Sequence, residues 1–207
     1  QTLSGTQDGC AFKLNSDSSE LIWSTYIGGS GLDASYNIKI SNQNDAIICG
    51  GTTSADFPTT ANVIKPNYGG EIDGYIVNLN NNTGGLNQAT YIGTSFYDQA
   101  YFLDIDNDGD LFVMGQTLGL YPVSPDVYSN PNSTQFIHKL TLDLSTTYFS
   151  SVFGDGSRAS IDISPTAFLV DNCGKIYVSG WGGITSGSST GSTIGLPVTT
   201  DAFQSST

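Results

Sequence analysis

The residues best suited to chemistry in this chain lie in one acidic stretch, Asp104-Ile-Asp106-Asn-Asp108-Gly-Asp110. Carboxylates on alternate residues of a tight turn with a glycine can converge hard oxygen ligands on one calcium ion. Asp104, Asp106, Asp108 and Asp110 are therefore candidate Ca²⁺ ligands. The competing reading is an acidic hairpin turn. Position-matched turns elsewhere carry Ser41, Gln43 and Asp45, or Asp171, Cys173 and Lys175, so the turn forms without that carboxylate set. No glutamate stands at the twelfth loop position to complete an EF-hand.

A second pattern, Gly187-Ser-Ser-Thr-Gly191, fits the GxSxG nucleophile elbow, which requires a sharp strand-to-helix turn. Here Gly187, Ser188 and Ser189 fall in a Gly/Ser/Thr-rich insertion, which reads as a flexible loop or an exposed recognition loop. The only histidine, His138, is in a predicted strand with nothing to bring it to that serine. Trp181 follows a strand-ending glycine and is the better candidate for an exposed ligand contact, with packing between sheets as the alternative. Trp23 reads as core. Cys10, Cys49 and Cys173 have no metal-ligand spacing. Cys49 reads as a small buried hydrophobe, and Cys173 suits a disulfide to a partner outside this sequence. With one histidine and no recurrent carboxylate pair at strand ends, no acid–base system assembles. The chain is expected not to be an enzyme.

The elements that position these residues are short strands. Of 207 residues 38% are hydrophobic, enough to bury a core, and 25 glycines with abundant Ser, Thr and Asn supply turns. No segment keeps helical apolar spacing. A net charge of −13 disfavours nucleic acid and anionic membrane surfaces. No apolar run reaches the roughly 18 residues of a spanning helix, so membrane insertion is not expected. The N-terminal residues do not read as a signal peptide.

Internal repetition organises the chain. Asp8-Gly-Cys-Ala-Phe-Lys-Leu14 recurs 65 residues later as Asp73-Gly-Tyr-Ile-Val-Asn-Leu79, and more loosely as Gln135-Phe-Ile-His-Lys-Leu140. Three strands end in Gly50, Gly115 and Gly180, again 65 residues apart. The units run over about 8–72, 73–133 and 134–207. Each reads as four strands, in the first unit over 10–14, 21–27, 36–40 and 46–50, with polar turns at 41–45, 106–110 and 171–175 closing hairpins. Ile38/Ile40, Leu103/Ile105 and Phe168/Val170 alternate and so share one face. The glycine-ended strands are nearly continuous apolar runs, as expected when both faces are covered. Units with two apolar faces stack radially, so the fold class is an all-β propeller fragment of about three four-stranded blades.

Asp8–Leu14, Ser24-Thr-Tyr-Ile-Gly-Gly29, Asp56-Phe-Pro-Thr-Thr60 and Leu196-Pro-Val-Thr-Thr-Asp-Ala-Phe-Gln204 resemble the SBBP family of bacterial β-propeller repeats. The stretch Val170-Asp-Asn-Cys-Gly-Lys-Ile-Tyr-Val-Ser-Gly-Trp-Gly-Gly183 is similar to segments of large Bacteroidetes surface proteins. The chain departs from the repeat at Tyr121-Pro-Val-Ser124 and Ser151-Val-Phe-Gly154. The resemblance implies a secreted or cell-surface protein exported by the type IX system, related to gliding-motility proteins, with a scaffold or adhesin role and a protein or glycan ligand. The remaining blades would be further partners. Two alternatives stay open: part of a polysaccharide-active propeller enzyme with its catalytic groups in other blades, or a structural element of a secreted assembly joined through strand edges.

Overall fold

The computed structural model describes residues 3–182 and 191–205. Among them are twelve strands and no helix. β1 (Gly9–Leu14) and β2 (Leu21–Ile27) form a two-stranded antiparallel sheet. β3 (Asp33–Ile40), β4 (Ala46–Thr52), β5 (Asp73–Leu79) and β6 (Leu86–Ile92) form a four-stranded meander. β7 (Asp98–Ile105), β8 (Leu111–Thr117), β9 (Gln135–Leu140) and β10 (Thr147–Phe153) repeat it. β11 (Ser164–Val170) and β12 (Ile176–Trp181) form the last pair.

The expected hairpins at 41–45, 106–110 and 171–175 form, and one device builds all three. The first residue's side-chain oxygen accepts the fifth residue's N–H: Asp45 N to Ser41 Oγ at 3.1 Å, Asp110 N to Asp106 Oδ1 at 3.0 Å, Lys175 N to Asp171 Oδ1 at 2.9 Å. The fourth residue is left-handed in each, with φ of 66° at Asn44, 86° at Gly109 and 74° at Gly174. Asn and Gly are the residues that enter this region at least cost.

The core is a stack of sheets. In β4, Ala46 and Ile48 pack toward Ala11, Trp23 and Ile27 of the first sheet, while Ile47 and Cys49 pack toward Leu103, Leu111 and Val113 of the next. In β8, Leu111 and Val113 face back, and Phe112 and Met114 face Phe168 and Val170 of the last sheet. A strand with a neighbour on each side has no solvated face, hence its unbroken apolar sequence. The terminal glycines admit a ring from the adjacent strand. Tyr75 lies opposite Gly50 and Phe136 opposite Gly115, where an added Cβ would overlap the aromatic carbons.

One expectation needs revision. The strands over 10–14 and 21–27 do not share a sheet with those over 36–40 and 46–50. Each four-stranded sheet takes two strands from one repeat unit and two from the next, because the short links 28–32 and 93–97 cross between sheets while the long link 53–72 returns to pair β4 with β5. Link length did not reveal which connection stays within a sheet. Ile38 and Ile40 share a face as expected; they are 49% and 60% exposed, whereas Leu103, the counterpart of Ile38, is 1% exposed. Leu103 lies on β4 of the preceding sheet, and among the described residues the sheet preceding β3 has no strand at that place.

Candidate functional site

β3, β7 and β11 are edge strands that pack side by side, and each carries a bulge at the same repeat position. The registers shift between Ser35 and Asn37, between Ala100 and Phe102, and between Pro165 and Ala167. A bulge re-aims its extra side chain. The residues so placed are Tyr36, Tyr101 and Thr166. The Tyr36 and Tyr101 rings stack at 5.0 Å with 11° between their planes. Tyr36 OH donates to Gln99 Oε1 at 2.7 Å, Tyr97 OH donates to Gln116 Oε1 at 3.1 Å, and the Tyr97 and Tyr101 hydroxyls are 3.1 Å apart. Gln116 Nε2 donates to the Ile163 carbonyl at 2.9 Å. Beside this row is a cleft of about 390 Å³ whose lining includes Tyr97, Tyr101, Gln116, Ser164 and Pro165.

Burial pushes the Tyr36 phenol up to about 12, and burial with the adjacent Tyr101 hydroxyl raises Tyr97 further. Both stay protonated near neutrality, so the row supplies hydrogen bonds and aromatic faces rather than a base. Sequence reasoning missed it. The signal was there as Tyr36 and Tyr101 at the repeat spacing, but nothing in the sequence marks a bulge.

The acidic turn is occupied by the protein's own groups. Asp104 is in β7; its Oδ1 lies 3.0 Å from Lys39 Nζ, and its Oδ2 accepts the Val170 N–H at 2.9 Å. Lys139 Nζ lies 2.8 Å from Asp106 Oδ2 and 3.1 Å from Asp110 Oδ2. Partial burial opposes the charge on Asp106, but Lys139 and the Asp110 and Asp108 N–H groups outweigh it and hold the carboxyl below its usual range. Asp108 is exposed. Calcium at this turn would have to displace Lys139. Among the described residues, no group of three or more His, Cys, Asp or Glu side chains is disposed to hold a metal ion.

His138 is buried in β9, with Nδ1 2.8 Å from Tyr121 OH and Nε2 2.8 Å from Thr147 Oγ1. Burial lowers its pKa to about 4, so the imidazole is neutral at pH 7. Trp23 is buried, and its Nε1 donates to the Asn81 carbonyl at 2.8 Å. Trp181 ends β12 and is 52% exposed. Gly187, Ser188 and Ser189 lie outside the described residues. Cys49 is buried as expected, while Cys10 and Cys173 are exposed free thiols.

A set of buried carboxylates also escaped the sequence reading. Asp33 accepts from Gly29 N and Ser54 Oγ, Asp98 from Thr94 N and Oγ1, and Asp162 from Thr134 N and Oγ1. Asp73 pairs with Lys65 at 3.1 Å, and Lys65 also donates to the Gly93 and Thr94 carbonyls. Burial raises the pKa of Asp73, Asp98 and Asp162. These groups clamp the crossover links to the strand starts. No family model matches the chain, and no curated protein matches it.

Proposed function

We propose that the chain is a non-catalytic, extracellular β-propeller module of the SBBP type that holds a glycan on its inner-strand tyrosines. The observation that carries this reading is the bulge-aligned row of Tyr36 and Tyr101 with Tyr97 and Gln116 beside a cleft. Stacked phenol rings offer apolar faces to sugar C–H groups and the tyrosine hydroxyls match sugar hydroxyls, while Gln116, engaged by Tyr97 and the Ile163 carbonyl, holds the row in place. The propeller geometry is supported by three successive sheet-to-sheet interfaces built alike, with β3, β7 and β11 adjacent. The non-catalytic assignment is supported by the engagement of His138, Lys65 and Lys139 in internal contacts. The extracellular, secreted setting rests on the motif resemblance.

The test is a glycan array probed with wild type and Tyr101→Phe, which keeps the ring and removes the hydroxyl. Retained stability with at least a tenfold loss of signal is expected. A silent array, a signal unchanged by Tyr101→Phe, or polysaccharide cleavage by the chain overturns the proposal.

A further inference from the structure

The tyrosine row stops where the cleft begins. Tyr36, Tyr101 and Thr166 hold one bulge position at 65-residue spacing, and Ala34, Gln99 and Ser164 hold the position two residues before it. Where β3 meets β7, the space beside Tyr36 is filled by two side chains of the next strand. The Tyr101 ring covers one face of Tyr36 at 5.0 Å, and Gln99 Oε1 accepts the Tyr36 hydroxyl at 2.7 Å. Where β7 meets β11, both counterparts are short. Thr166 is exposed and has no ring to lay on Tyr101, and Ser164 has no amide to reach its hydroxyl. The cleft of about 390 Å³ lies beside these two truncations.

We infer that this cleft holds one uncharged pyranose ring, stacked on the face of Tyr101 that Tyr36 leaves open, and that Thr166 and Ser164 are the residues that admit it. This placement rests on the glycan reading of the row and fixes where on the row the sugar sits. The volume is near the lower end of the roughly 300–1,000 Å³ of small-molecule sites, which suits one ring rather than a stretch of chain.

The hydrogen bonds beside the cleft run one way. Gln116 Nε2 donates to the Ile163 carbonyl, which fixes the amide so that Oε1 receives the Tyr97 proton. In the contact between the two phenols Tyr101 is therefore the donor, and its oxygen keeps a lone pair for a sugar O–H. Ser164 Oγ accepts the Gly191 N–H at 3.3 Å, so its own proton can go to a sugar oxygen. Leu118, Ile161 and Pro165 supply apolar wall for the ring's C–H groups. Among the described residues that line the cleft, none is charged at neutral pH, while the chain as a whole carries −13. A uronate, sialyl or sulfate group would meet no cation there and would enter against a negative field. An aminosugar would find no lining carboxylate.

The experiment is a glycan array carrying uncharged hexose and N-acetylhexosamine glycans beside uronate, sialyl and sulfated ones. It is probed with wild type, Thr166→Tyr and Ser164→Gln, each variant restoring the residue type that stands one repeat earlier. Wild type is expected to bind among the uncharged glycans. The signal should fall by about tenfold or more in Thr166→Tyr, with no loss of melting temperature, and by about threefold or more in Ser164→Gln. If Thr166→Tyr does not fold, Ser164→Gln alone decides. A signal unchanged in the folded variants but lost in Tyr101→Phe overturns the inference and leaves the proposed function standing, with the sugar elsewhere on the row. Preferential binding of anionic glycans by wild type also overturns it. A silent array removes the row as a glycan site, and this cleft with it.

Discussion

Acidification should destabilise this protein through His138, by an amount the structure allows to be worked. The imidazole is held neutral between Tyr121 and Thr147, with a pKa lowered to about 4 against 6.5 for a free histidine. The unfolded chain therefore binds a proton that the folded chain refuses between those values, and stability falls as pH drops through that window. At pH 5 the unfolded histidine is nearly all charged and the folded one nearly all neutral, a loss of about 2 kcal/mol relative to pH 7.5. Buried Asp73, Asp98 and Asp162 have raised pKa values and work in the opposite direction. Comparison with His138→Gln cancels them. Urea unfolding at both pH values should show wild type losing about 2 kcal/mol more than His138→Gln. In melting temperature the excess is about 4–8 °C for a chain of this size. Equal losses in the two proteins would show that the histidine is not held neutral, and the packing of β9 against Tyr121 would need another account.

Gly115→Ala should cost about 1–3 kcal/mol or more, because the new Cβ overlaps the Gln99 carbonyl and the Phe136 ring; a chemical denaturation midpoint equal to wild type would refute that close approach. Gly174→Asn should be nearly neutral, within about 0.5 kcal/mol, since Asn44 holds the equivalent left-handed position and nothing lies within 4 Å of a Cβ at Gly174. Ile47→Ala, at a fully buried sheet-to-sheet contact, should cost about 2–5 kcal/mol by the same assay. Calcium at millimolar level and EDTA should both leave the melting temperature unmoved while Lys139 holds Asp106 and Asp110; a rise of several degrees with calcium would show the cation displacing the lysine.

The three hairpin turns were legible because their chemistry is local: an acceptor side chain at the first position and Asn or Gly at the fourth dictate the turn wherever the rest of the chain goes. The doubly covered strands β4 and β8 were legible for a related reason, since an unbroken apolar run favours two covered faces; the same expectation for β12 is not met, where Tyr177 is 53% exposed. The fate of the acidic stretch was not. Asp104 and Asp106 look like ligands in sequence, but Lys39 and Lys139 arrive from other strands to neutralise them.

By itself the sequence determined an all-β chain, its 65-residue period and the positions of the strands, since turn preference and apolar alternation act over a few residues. Which strands share a sheet, that bulges set Tyr36 and Tyr101 in one row, and that Ile38 stays exposed while Leu103 is buried were decided by the tertiary structure alone. Identical repeat positions meet different neighbours depending on whether a strand packs in front of them, and that depends on contacts between residues far apart in the chain.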